Sequence, residues 1–181
     1  MEADWEFEIG GDAPVIEANW KGFVDLCAHP DRVSELTECG ELPALAEALV
    51  RLNAADSPVR TCKVDVFIPE WIDLDEIAAS VGDAAHLIAC YIDLLPREKT
   101  TWFNLEAAER DCKQVCSQLG TIGLSRCRVD VVVRRAVVAD GDDLGATVYL
   151  TASGSTEADA KSRLGECLNV FTKMICLRRV Y

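Results

Sequence analysis

Histidine is scarce: the chain of 181 residues has only His29 and His86. A cysteine nucleophile needs an imidazole beside its thiolate, so two loop-edge histidines leave little material for one. No CxxC or HxxxH pair occurs, and with it goes any usual zinc-site spacing. The serine elbow G-x-S-x-G, the Walker lysine motif and G-x-G-x-x-G are missing too. No catalytic residue, metal ligand or cofactor is therefore expected. No apolar run reaches the roughly 18 residues of a membrane span. The opening "MEADWEFEIGGDAP" lacks the basic and apolar regions of a secretory signal. The expectation is a cytoplasmic protein with no membrane partner.

Positive charge is also short. Eighteen Lys and Arg face thirty-one Asp and Glu, for a net charge of −13. The imbalance is uneven: −9 over residues 1–60, −6 over 61–124 and +2 over 125–181. Such a chain repels nucleic acid, and no basic stripe interleaved with aromatics offsets this. Its natural macromolecular partner is a basic protein, although acidity also serves solubility alone. Arg134/Arg135 and Arg178/Arg179 read as salt-bridge partners for the acidic half.

Cysteine, by contrast, is plentiful. Nine are scattered through apolar segments, an odd count that does not suit a disulfide framework. Cys112 and Cys116, at i and i+4, read as core, as do Cys167 and Cys176. "SGSTEAD" places Gly154, Ser155 and Thr156 at a helix start, where capping accounts for them. The acid groups Asp142/Asp143 and Asp73/Asp75/Glu76 sit at a turn and a helix start.

Trp5, Phe7 and Ile9 alternate with glutamates, which predicts a half-buried strand. "DRVSELTECG" predicts a short helix capped by Asp31 and ended by Gly40. Pro43 opens a helix with the stripe Leu42, Leu45, Ala46, Leu49 and Leu52. Then "TCKVDVF" at 61–67 and "RCRVDVVV" at 126–133 state nearly one phrase twice. The first is followed by a helical turn at "DLDEIAASVG" with Asp73 and Glu76 spaced as a capping box. A strand "HLIACYIDLLP" and a helix capped by Asn104 come next. The second is followed by a turn at "ADGDDLG", a strand "ATVYLTASG" and a helix with the capping box Thr156/Asp159.

The order is strand, strand, helix, twice. The predicted fold is a two-layer α+β sandwich, its sheet mainly antiparallel and its helices on one face. An internal ββα duplication would give repeats over 61–124 and 125–181 inside a domain 61–181, with residues 1–60 packing on it as a strand and helical segment. A rival parse from residue 86 reads ferredoxin-like βαββαβ, with "CLRRVY" as its last strand.

Alternation assigns side chains to faces. Cys62, Val64 and Val66 join Cys127, Val129, Val131 and Val133 under the helices. The opposite face carries Lys63, Asp65, Phe67, Tyr91, Asp93, Arg128, Asp130, Val132, Arg134, Tyr149 and Thr151. Of these, Lys63, Asp65, Phe67, Tyr91, Asp93, Arg128, Asp130, Arg134 and Tyr149 are the candidate binding residues. The N-terminal segment, with Trp5, Trp20 and Phe23, is a candidate cover. The expected function is protein–protein binding of adaptor, inhibitor or toxin-neutralising type, without catalysis. The alternatives are a small-molecule binding protein or enzyme with a pocket on the polar face of the sheet, and a thiol-dependent activity. A homodimer through that face or an edge strand fits the same pattern.

Overall fold

In a computed structural model, the chain is described apart from residues 19, 72, 74, 78–83, 99–103, 139–140 and 178–181. Strand β1 (Glu2–Glu8) is followed by the two-residue β2 (Ile16–Glu17), a 3₁₀ segment at Pro30–Glu35, α1 (Thr37–Glu41) and α2 (Pro43–Leu52). Then come β3 (Val59–Phe67), a 3₁₀ turn at Asp75–Ile77, β4 (His86–Pro96) and α3 (Leu105–Gly120). The chain continues through β5 (Cys127–Val138), β6 (Gly141–Gly154) and α4 (Glu157–Leu177). The strands form one sheet in the order β1-β5-β6-β4-β3, and β2 extends the β1 edge along β5.

The α+β sandwich is as expected, and its strand-strand-helix order runs twice. The pairs β3–β4, β4–β6 and β5–β6 are antiparallel, while β1 and β2 run parallel to β5. The sheet is thus mixed: β1 is reached by no hairpin, so no tight turn dictates its direction. The rival parse needed a closing strand at "CLRRVY". Cys176 and Leu177 are instead the last turn of α4, and 178–181 lie outside the described residues.

The three longer helices share one face. α3 lies over β1 and β5, α4 over β6 and β4, and α2 stacks on α4. Burial of Leu45, Leu49 and Leu52 joins α2 to the core that holds Val129, Val131, Val148, Leu150, Leu164, Leu168 and Phe171. Each such side chain contributes about 1.5–3 kcal/mol when fully buried. α4 presents Ala160, Leu164, Cys167, Leu168, Phe171, Thr172 and Ile175 inward, a wide stripe suited to a helix packed on both a sheet and a second helix. Asn104 caps α3 through its side chain, accepting from Ala107 N at 2.9 Å. At α4, Thr156 Oγ1 accepts from Asp159 N at 3.1 Å.

Several expectations are corrected. The helix read over 31–40 is broken: Asp31 lies inside the 3₁₀ segment, extended Leu36 separates it from α1, and Gly40 is within α1. The turn read at "ADGDDLG" is mostly strand, since Gly141, Asp142 and Asp143 pair with Val138, Val137 and Ala136; residues 139–140 lie outside the described set. Between Thr61 and Val64 the register of β3 slips, so three steps on β3 match two on β4. This bulge turns Cys62 away from the helices into a small cluster with Ile16, Ala18, Leu95 and Ala136 on the opposite face. Cys27 is exposed, unlike the buried cysteines 39, 62, 90, 112, 116, 127 and 167.

Candidate functional site

Sheet register brings all nine candidate residues to the face away from the helices. Asp130 pairs with Tyr149, Tyr149 with Tyr91, and Tyr91 with Asp65, so one row across four strands reads Asp-Tyr-Tyr-Asp. The next row toward one end joins Arg128, Thr151, Ala89 and Phe67. Toward the other end stand Val132, Thr147 and Asp93, and the bulge sets Lys63 beside them. The tyrosine rings lie 5.9 Å apart, centre to centre.

Neither end of this face is bare. At one end the segment after β1 folds over it: Ile16 and Ala18 are buried, and Trp20 Nε1 donates to the Cys62 carbonyl at 3.2 Å. Gly145 permits this approach, because a Cβ there would stand 2.8 Å from Leu94 O and 2.9 Å from Ile16 Cδ1. At the other end the 3₁₀ turn after β3 reaches back, and Glu76 lies 3.6 Å from Arg128. Trp20 is thus part of a cover, whereas Trp5 sits on the helix side in edge contact with Phe7.

Two polar networks cross the face. Arg128 bonds Asp130, its neighbour two residues on, at 2.7–2.8 Å, and this bond holds its pKa up. Arg134 is the hub of the second. Its Nε donates to Glu8 Oε2 at 2.9 Å, and its Nη1 to Thr147 Oγ1 at 2.9 Å and to the Tyr149 hydroxyl at 3.3 Å. The Thr147 hydroxyl then donates to Asp93 Oδ1 at 2.6 Å. Glu8 on β1 is thereby linked to Asp93 on β4 across two intervening strands.

Asp93 is buried at 8% exposure, a cost to its charged form. Burial raises its pKa, and the Thr147 bond with the Arg134 and Lys63 charges partly offsets this. Lys63 lies 5.8 Å from the Tyr91 ring centre, and its bond to that tyrosine raises its pKa. Glu8, Glu76 and Thr147 were missed by sequence reasoning. Glutamate alternation along β1 was visible, but its partner strand was not.

Other chemistry is sparse. Among the described residues no three His, Cys, Asp or Glu side chains group as metal ligands, and no helix is long and apolar enough to cross a membrane. Burial pushes the thiols of Cys62, Cys90 and Cys116 up to about 12, which keeps them protonated. Cys27 Sγ lies 3.3 Å from Asn53 Oδ1 and 3.5 Å from Arg97 Nη2. His29 and His86 are both exposed. A cavity of about 30 Å³ lies on the helix side, between Val131, Val148, Cys112, Val115 and Phe171; its volume suits about one water, not a ligand. Comparison with protein-family models, curated proteins and solved structures found no match.

Proposed function

We propose that the protein acts by binding a basic partner protein through the polar face of its sheet and the acidic strand beside it. The observation that carries this is an unbalanced charge set. Two arginines on the face are already committed, Arg128 to Asp130 and Glu76, and Arg134 to Glu8, while Arg60 and Lys63 stand on β3, at the opposite edge of the sheet from β1. Glu2, Asp4, Glu6 and Asp65 on the same face have no ion pair among the described residues. By register Glu2, Asp4 and Glu6 stand beside Arg128, Asp130 and Val132, so Asp4 even faces another carboxylate. Like charges set opposite each other cost stability, and a basic partner would relieve that cost. The half-buried pair Tyr91 and Tyr149 offers the aromatic area favoured at interfaces. This suits an adaptor, an inhibitor or a toxin-neutralising protein.

The decisive experiment is capture from the protein's own cells with chemical cross-linking, in parallel for wild type and for a variant carrying Glu2→Gln, Asp4→Asn, Glu6→Gln and Asp65→Asn. A basic protein held stoichiometrically by wild type, and released by the variant and by salt, supports the proposal. Equal capture by both would sink it.

A second reading rests on Asp93. A buried carboxylate beside Thr147, Arg134 and two tyrosines would also suit a small polar ligand on the same face. Native mass spectrometry on gently purified protein separates the two: a stoichiometric small adduct, lost in an Arg128→Ala/Tyr149→Ala variant, favours the ligand.

We further read the two ββα units as a duplication. The equivalences Lys63 with Arg128, Asp65 with Asp130, Phe67 with Val132 and Tyr91 with Tyr149 support it. Each pair takes matching places on either side of the β4–β6 junction. The Asp-Tyr-Tyr-Asp row would then be one half-site written twice.

A further inference from the structure

The two edges of the sheet are built differently. An open edge presents unpaired N–H and C=O groups, and proteins commonly blunt it with bulges, inward lysines or covers. β3 has all three. Its register slips between Thr61 and Val64, Lys63 turns onto the sheet face, Trp20 takes the Cys62 carbonyl, and Asn53 Oδ1 accepts from Thr61 N at 3.0 Å. β1 has none of them. Its seven residues run in unbroken register along β5, with no proline and no lysine. Among the described residues no strand or loop pairs with its outer side. Among the described residues its edge is touched by Asp4, whose carboxylate accepts from Trp5 N at 2.8 Å, and by Lys113 of α3, whose Nζ lies 5.6 Å from the Trp5 ring centre.

The side chains of β1 say what could join it. Glu2, Asp4, Glu6 and Glu8 line the polar face, while Ala3, Trp5 and Phe7 line the helix face, packed against the core but not fully covered. A strand added here would stand about 5 Å away, with its residues opposite these. A second copy paired antiparallel through β1 would set carboxylate against carboxylate and is repelled. A strand alternating basic and apolar residues meets complementary charge on one face and extends the apolar layer under α3 on the other. From this asymmetry we infer that β1 is a docking edge for an extended basic segment of a partner protein, which adds as a further strand of the sheet. The inference rests on the proposed function and specifies how the partner binds.

The test uses the full chain and, as probe, a fluorescent octapeptide of alternating Lys and Val. Control peptides are N-methylated at alternate residues in either phase, which keeps the charge and removes ladder hydrogen bonds. Anisotropy at low salt measures affinity, and hydrogen exchange follows the β1 amides. The expected result is that the plain peptide binds and slows exchange along β1. At least one N-methylated peptide fails, and Glu2→Gln/Asp4→Asn/Glu6→Gln weakens binding about tenfold, as three exposed charge pairs imply. Equal binding by all peptides, with β1 exchange unchanged, overturns strand addition while leaving the acidic-face reading standing. Failure of every peptide overturns both. A dimer of the free protein that the peptide dissociates assigns the edge to a second copy and also overturns the inference.

Discussion

Replacing Thr147 with valine tests the network beneath the tyrosines. The exchange keeps side-chain shape at a position only 1% exposed, so no cavity opens. What disappears is one hydroxyl that accepts from Arg134 at 2.9 Å and donates to Asp93 at 2.6 Å. Hydrogen bonds to charged groups contribute about 1.5–3 kcal/mol, and an orphaned buried acceptor costs about 1–3 kcal/mol. Arg134 retains Glu8 and Tyr149, so most of the loss falls on Asp93, and Thr147→Val should destabilise by about 2–3 kcal/mol at pH 7.5. The pH dependence is the sharper check. Burial raises the Asp93 pKa above its ordinary 3.8, so the folded state holds this proton more tightly than the unfolded chain. Its contribution to stability is fully present below 3.8 and is lost as pH rises through the folded value. The Thr147 bond opposes the rise, so removing it lifts the folded pKa further. The penalty of the valine is then largest near neutral pH and shrinks as the pH is lowered toward 4 and Asp93 takes up its proton. Urea unfolding of both proteins at several pH values between these limits gives the curve. A penalty under about 0.5 kcal/mol at pH 7.5 refutes the reasoning, as does one that holds constant or grows on acidification.

Three further outcomes are expected. Asn53, 4% exposed, bonds Leu49 O and Thr61 Oγ1 through its amide N–H groups and accepts from Thr61 N; Asn53→Ala should cost about 2–3 kcal/mol by urea unfolding, and a neutral result would contradict this geometry. A Cβ on Gly154 would lie 2.4 Å from the backbone nitrogen of Ala160, so Gly154→Ala should lower stability by about 1–3 kcal/mol or more, checked by thermal melting; an unchanged Tm would show that the start of α4 can move aside. Under native alkylation read by mass spectrometry, exposed Cys27 should be modified first while Cys62, Cys90 and Cys116 stay protected; early labelling of Cys62 would refute its burial.

Much of this architecture is legible along the chain because strand alternation and helix capping are local. The nine candidate residues were assigned to one face from period two alone, and the caps at Asn104 and Thr156 follow from residue type three positions before the bonded N–H. Cys62 marks the limit of that rule. One extra residue in a bulge reverses the face of everything before it, and nothing in "TCKVDVF" announces it. The break at Leu36 was equally silent, since the flanking residues are ordinary helix formers.

The sequence by itself determined the two-layer class, the repeated strand-strand-helix order, the acidic balance and the poverty of catalytic and metal-binding patterns. These depend on composition and on spacings of two to four residues. Only the tertiary structure decided that β1 lies parallel to β5, which puts Glu8 against Arg134 from 126 positions away. It also decided that Asp93 is buried beside Thr147, and that, among the described residues, one sheet edge is blunted while β1 has no strand on its outer side. Such outcomes depend on which strands meet, and that is settled by packing of the whole chain rather than by any local period.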